Sequence, residues 1–226
     1  MHTVTHPLLQ QTLAQIAIDI PGATALLRQH KLDFCCNGQR SLAQACAERS
    51  PERALDLAAL LAGLEALQQA SAPAVPSADP AQLIELILQR YHDTHRQQLP
   101  ELVRMARRVE AVHGQHPAAP VGLADFLEFL QAELEQHMAK EEQILFPVLR
   151  SGGHPMICGP IGVMRHEHTE HGANLERLAA LTQQHTPPAG ACTTWRALYA
   201  GTERLVEDLM QHIHLENNLL FPQFER

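Results

Sequence analysis

Apolar side chains recur every three or four positions over long stretches of this chain, and short segments rich in Pro, Gly and Ser separate them. That spacing predicts amphipathic helices joined by turns. Over residues 1–69 the helical patterns are short. One runs from Leu8 to Ile18 and stops before Pro21-Gly22, and a second spans Ala23 to Gln29. A third follows Ser41, with Gln44 at capping-box spacing. A last one opens at Pro51, a residue suited to a first turn, and reaches Gln69. The segment ASAPAVPSADP, 70–80, reads as a linker. Beyond it, four long patterns are expected: Ala81 to Val112, interrupted near Pro100; Gly122 to Leu149; Pro160 to Gln184; and Thr193 to Phe221. The connections at 113–122 and 185–192 are short, so successive helices run antiparallel, as in an up-down bundle. The expected fold is all-α: a small helical domain over 1–69, the linker, and a four-helix bundle over 81–226.

Composition agrees. Of 226 residues, 45% are apolar but only 4% aromatic, and β-branched runs are missing, which favours helices over sheets. The net charge of −8 is spread along the chain, an argument against nucleic acid or an anionic membrane as partner. No basic segment followed by an apolar core opens the chain, and no apolar run approaches a membrane span. A cytoplasmic protein is expected. Five cysteines, an odd number, do not look like a disulfide framework. Fifteen histidines change the picture more, because imidazole is the commonest metal-binding side chain.

The histidines belong to a repeat. QHMAKEEQILFPVL (136–149) aligns without gaps to QHIHLENNLLFPQF (211–224), and His92-Asp93-Thr94-His95 has a counterpart in His168-Thr169-Glu170-His171. The interval from His92 to His137 is 45 residues and from His168 to His212 it is 44. The bundle therefore reads as two copies of one αα-hairpin, each carrying His…His-x-x-x-Glu. A His and a Glu four residues apart share one helix face. Pairing the hairpins about a pseudo-two-fold axis brings His92, His137, Glu141, His168, His212 and Glu216 to one level. Four imidazoles and two carboxylates exceed the needs of one zinc ion. They suit two non-haem iron ions bridged by carboxylate and solvent, in the place where bundles build such sites. Manganese accepts the same ligands. A ferritin-like centre would need Glu-x-x-His on two helices and lone Glu ligands on the others; here the order is reversed and the lone ligands are His, the hemerythrin-like pattern. HEHTEH (166–171) lacks metalloprotease spacing.

Other residues are candidates for lesser roles. Glu133, one turn before His137, and Glu167, next to His168, are placed to orient imidazoles or relay protons. His113 falls roughly 30 Å along an ideal helix from His92, too far to ligate unless the helix breaks near Pro100. His95 and His171 lie one turn from the first ligands; His116, His154, His185 and His214 are expected in solvent. Cys35-Cys36 precedes a helix starting near Ser41, with Lys31 and Arg40 close in sequence, which predicts lowered thiol pKa values and reactive thiolates. Burial is expected for Cys46, Cys158 and Cys192.

The stretches LDFCCNGQRSLAQA, RYHDTHRQQLPEL, HMAKEEQILFP, ACTTW and LMQHIHLENNLLFP together resemble the di-iron Repair of Iron Centres family, which joins a Cys-Cys domain to a hemerythrin-like domain. The resemblance covers essentially the whole chain. It implies a cytoplasmic protein that answers nitric oxide and oxidative stress and supports repair of damaged iron–sulfur clusters. It carries the family's iron ligands onto His92, His137, Glu141, His168, His212 and Glu216, and its thiol pair onto Cys35 and Cys36. The activities implied are reduction of NO to N2O or donation of iron to apo-clusters; a reversible NO or O2 sensor or carrier is the further alternative. The partners implied are NO, damaged iron–sulfur proteins and an electron donor, with a homodimer as an allowed assembly.

Overall fold

The computed structural model describes residues 6–49, 55–70 and 79–225. Within them the secondary structure is helical, apart from one isolated antiparallel bridge between Thr12 and Ser41. In the N-terminal part a short 3-10 turn, Pro7–Gln10, precedes α1 (Leu13–Asp19), α2 (Ala23–Gln29), α3 (Leu42–Ala47) and α4 (Leu57–Ala70). The single helix expected from Leu8 to Ile18 is thus two pieces. Thr12 is extended and caps α1 by accepting from the Gln15 amide, while Leu13 and Leu42 donate across to the Arg40 and Gln11 carbonyls. Those bonds between segments distant in sequence take the place of helix continuation. Ser41 and Gln44 form the expected capping box. Pro51 and linker residues 71–78 lie outside the described residues. The end of the expected linker, Asp79 and Pro80, caps and opens the next helix.

The bundle helices are long and composite. The first, α5, runs through Pro80–Leu86, a π-helical stretch Ile87–His92, and Asp93–His113. The second, α6, comprises Leu123–Lys140, a π-helical stretch Glu141–Leu145, and Phe146–Arg150. The third, α7, is Cys158–Leu181; the fourth, α8, is Thr193–His214 continued by the π-helical Leu215–Leu220. Pro100 does not interrupt α5, contrary to expectation. It lies on an exposed position, where the carbonyl one turn earlier, deprived of a donor, can turn to water.

Two apolar clusters fill the interior. The larger joins Leu13, Ile16, Leu27, Phe34 and Leu64 of the N-terminal helices to Leu99, Leu127, Leu134, Trp195 and Leu209 of the bundle, so the two parts share a core. The smaller lies at the other end and includes Ile84, Ile87, Phe146, Ile161, Leu220 and Phe221. Between them sits a layer of buried polar side chains: His92, His95, His137, Glu141, His168, His171, His212 and Glu216.

Candidate metal centre

Each of the three π-helical stretches holds or abuts a residue of that polar layer: His92 ends the first, Glu141 begins the second, and Glu216 lies in the third. A π turn adds a residue to the helix and re-aims the side chains around it, and such turns gather at functional sites. The result is a compact box. Glu141 spans two imidazoles, with Oε2 3.3 Å from His92 Nε2 and Oε1 3.2 Å from His137 Nε2. Glu216 does the same in the other hairpin, at 3.0 Å from His168 Nε2 and 3.4 Å from His212 Nε2. Across the hairpins, His92 Nε2 faces His212 Nε2 at 3.2 Å, and His137 Nε2 faces His168 Nε2 at 3.1 Å. Two groups able to hold a metal ion follow: His92, His212 and one oxygen from each Glu; His137, His168 and the other oxygen from each Glu.

The outer ring nitrogens show why these contacts call for cations. His137 Nδ1 lies 2.8 Å from Glu167 Oε2, and His168 Nδ1 lies 2.9 Å from Asn217 Oδ1. Both partners are acceptors, so in neutral rings each Nδ1 carries the proton and each Nε2 presents a lone pair. Two lone pairs 3.1 Å apart repel unless a cation lies between them. Two nitrogens each bonded to one ion at about 2.1 Å, at right angles, would stand about 3.0 Å apart. The buried oxygens of Glu141 and Glu216 also lack any hydrogen-bond donor among the described residues. The donor set therefore fits a pair of metal ions.

Charge is concentrated accordingly. Burial opposes ionisation of Glu141, but His137, His92 and His212 outweigh it and hold its pKa well below the ordinary value. Burial likewise opposes the charged form of His137, yet Glu141, Glu216 and Glu167 raise its pKa to about 9. Metal ions would displace that proton.

Residues 83–224 match the hemerythrin HHE cation binding domain, and residues 9–68 match a domain of unknown function, ScdA_N. The chain belongs to the hemerythrin HHE family. It is 52% identical over 215 residues to the iron-sulfur cluster repair protein YtfE of Yersinia pseudotuberculosis (strain PB1/+), covering 94% of this chain and 96% of that one. The counterpart from Yersinia pestis (strain Pestoides F), of the same name, matches to the same extent. Among the described residues no helix is long and apolar enough to cross a membrane.

In this hemerythrin-family chain the six residues expected from the repeat converge. The supporting residues were anticipated less well. Glu167 touches His137 and is fixed by Lys140 at 2.5 Å. Glu133 is half-buried on α6, and its side chain makes no hydrogen bond or ion pair among the described residues. Glu142 plays the part not foreseen: its Oε1 lies 2.7 Å from His92 Nδ1, and Arg96 anchors it. Asn217 is its equivalent in the second hairpin, for each directly follows the spanning Glu of its copy. That position in the repeat was the available signal. The symmetry fails at the remaining pair. Glu167 precedes His168, but the matching residue before His92 is Tyr91, which stacks on His212 with ring centroids 5.7 Å apart. His212 Nδ1 is left without a partner.

Other expectations change. His113 stays far from the box, 3.3 Å from Cys192 Sγ and packed against Trp195. His95 and His171 are buried beside His212 and His137, with ring centroids 5.6 and 4.8 Å away, and their four ring nitrogens are unpartnered. Burial, then the neighbouring imidazoles, lower the His171 pKa to about 3. His214, expected in solvent, is buried: Asn218 bonds it at 2.9 Å and the Phe34 ring covers it edge-on. His185 is half-buried between Thr182 and Thr202. Cys158, expected buried, is exposed, and Cys46 and Cys192 are half-buried.

The thiol pair precedes a helix capped by Ser41, as expected, but its surroundings differ. Cys35 and Cys36 lie upstream of α3, and Lys31 and Arg40 turn away to Gln184 and Glu48. Asp33 Oδ1 accepts from both cysteine amides, at 3.2 and 2.9 Å. The Cys36 hydrogen bond, burial and the Asp33 charge push the Cys35 pKa well up, so the expected lowering is corrected for that thiol. The loop docks on the bundle: Cys36 Sγ donates to the His168 carbonyl at 3.3 Å, and Asn217 Nδ2 donates to the Cys35 carbonyl at 3.0 Å.

Proposed function

We propose that this chain holds two iron ions in the box and serves the repair of iron–sulfur proteins damaged by nitric oxide or oxidative stress, with reduction of NO as the reaction of the site. The observation that carries the reading is the pair of facing Nε2 couples spanned by Glu141 and Glu216, which supports two adjacent metal positions rather than one. The similarity to proteins named for iron–sulfur cluster repair supplies the biological setting. His92, His137, Glu141, His168, His212 and Glu216 would hold the ions. When bound, iron supplies redox electrons and open positions for NO. The reaction 2 NO + 2 e⁻ + 2 H⁺ → N2O + H2O balances, and bringing two NO molecules together removes much of its entropic cost.

The protein's own groups serve that reaction by position. Glu142 and Glu167 fix the Nδ1–H tautomers of His92 and His137 and raise their basicity. A cleft of about 390 Å³ between α5 and α6 is lined by Met138, Arg96, Glu135 and the buried His95 among others, and is the proposed approach for NO. Glu133 and Glu167 are the carboxylates proposed to move protons, with an unidentified electron donor restoring the reduced state. The docked thiol loop favours a second reading, iron donation, because Cys35 and Cys36 touch the surroundings of His168. A reversible O2 carrier fits less well with ionisable side chains lining the approach.

Anaerobic NO added to the reduced, iron-loaded chain separates these readings when gas and iron content are followed together. N2O formation with iron retained, lost in Glu141→Ala and Glu216→Ala, is expected. Unchanged N2O yield in those variants would overturn the assignment of the site. Iron loss without N2O would favour donation.

A further inference from the structure

The imidazoles of the box are not backed alike. His92 is backed by the Glu142 carboxylate and its Arg96, and His137 by the Glu167 carboxylate and its Lys140. His168 is backed by a neutral amide, Asn217, at 2.9 Å. That amide is fully committed: Oδ1 accepts from His168 while Nδ2 donates to the Cys35 carbonyl at 3.0 Å. The Cys35 bond selects which end of Asn217 faces His168, since a rotated amide would oppose Nδ2 to the ring N–H. Cys36 Sγ reaches the backbone carbonyl of the same histidine, and Asn218 Nδ2 holds the Phe34 carbonyl at 3.1 Å. Both thiol residues therefore bear on one histidine, Cys35 on its ring through Asn217 and Cys36 on its backbone, and none of these loop contacts reaches His92 or His212.

We infer that Asn217 is a positioning residue that couples the thiol-pair loop to the His137/His168 metal position and makes that position the exchangeable one. With the loop docked, Asn217 presents an acceptor to His168 and keeps its Nε2 lone pair aimed at the metal. With the loop displaced, Asn217 loses the partner that orients it, and His168 loses its tautomer lock. The His92/His212 position has no such dependence: Glu142 is held by Arg96 within the bundle, and His212, whose Nδ1 has no hydrogen-bond partner among the described residues, is kept in place by the Tyr91 ring stacked on it. The inference rests on the proposal that the box holds two iron ions. It gives the thiol pair a role that needs no thiol chemistry: the loop acts as a latch on one ion.

The test follows iron leaving the full-length, ferrous-loaded chain into a coloured ferrous chelator without oxygen, beside hydrogen exchange at residues 33–38. Iron is counted first. Fewer than two ions per chain would refute the di-iron reading and the inference with it, whereas every later outcome bears on the inference alone. The wild-type chain should release iron in a fast and a slow phase of equal amplitude. Asn217→Ala should speed the fast phase by about tenfold, the lower end of losses from removing a ligand-orienting partner, and leave the slow phase unchanged. Glu142→Gln should speed only the slow phase. Asn217→Asp separates the two bonds, because its carboxylate still accepts from His168 but repels the Cys35 carbonyl. It should release iron no faster than wild type while the loop exchanges faster. Release in a single phase, equal acceleration of both phases by Asn217→Ala, or Asn217→Asp behaving like Asn217→Ala would each overturn the inference.

Discussion

Replacing Glu142 by Gln tests whether the carboxylate behind His92 tunes the metal position or only decorates the bundle surface. The exchange preserves size and keeps an oxygen to accept the His92 Nδ1 proton at 2.7 Å; what it removes is charge. Carboxylates behind metal-bound imidazoles are worth about 10–100-fold in metal affinity. Because Gln keeps the hydrogen bond and the Glu142 side chain is 28% exposed, screening by water places the loss at the low end, about tenfold or 1.4 kcal/mol. Competition against a ferrous chelator of known affinity measures it. The control is Glu135→Gln, since Glu135 shares Arg96 at 3.0 Å but has no hydrogen bond or ion pair with a histidine among the described residues. That variant should bind iron within about twofold of wild type, as expected for an exposed ion pair. Equal affinities for Glu142→Gln and wild type, or an equal loss in Glu135→Gln, would refute the reasoning.

The pH dependence of stability should differ between stripped and iron-loaded protein. In the metal-free fold His137 keeps its proton up to about pH 9, above the value of about 6.5 for an unfolded chain. Its pairing with Glu141 therefore stabilises the stripped protein fully below pH ~6.5 and is lost as pH rises through about 9. Metal takes the place of that proton, so the Tm gap between loaded and stripped protein should widen over this range; thermal melts showing a narrowing gap would contradict it. Gly38→Ala should loosen the thiol loop, because an added Cβ would meet the Phe34 carbonyl oxygen at 2.5 Å and Asn218 Oδ1 at 3.0 Å. A loss of about 1–3 kcal/mol, read by urea unfolding with faster amide exchange at 33–38, is expected, and wild-type stability and exchange would count against it.

The six converging side chains were legible because helix periodicity ties His to Glu four residues on, and the duplication supplied the second half. The long helices were legible for the same reason, to within a few residues at their ends. Glu142 and Asn217 were not. On a regular α-helix the residue after Glu141 or Glu216 turns away from the inward face, and only the π-helical stretches at Glu141–Leu145 and Leu215–Leu220 change that register. Sequence periodicity does not announce such a turn. The Cys35 thiol was misjudged for a different reason. Its environment is set by Asp33 folding back on the cysteine amides and by Asn217 across the bundle, contacts that nearness to Lys31 and Arg40 in sequence does not reveal. His214 was misplaced likewise, since what covers it is the Phe34 loop from the other end of the chain.

The polar layer also divides the bundle lengthwise into two oily compartments that share hardly any packing except through the helix backbones crossing it. One compartment is buttressed by the N-terminal helices; the other, around Phe146 and Phe221, is not. Without metal ions, the seam between them is a layer of buried imidazoles and carboxylates held by the proton on His137, a poorer carrier of cooperativity than a pair of ions would be. Filling it rivets the compartments together. Iron occupancy would then decide whether the chain unfolds as one unit or opens first at its unbuttressed end, so the loss of a metal ion reaches the rest of the molecule as a mechanical change.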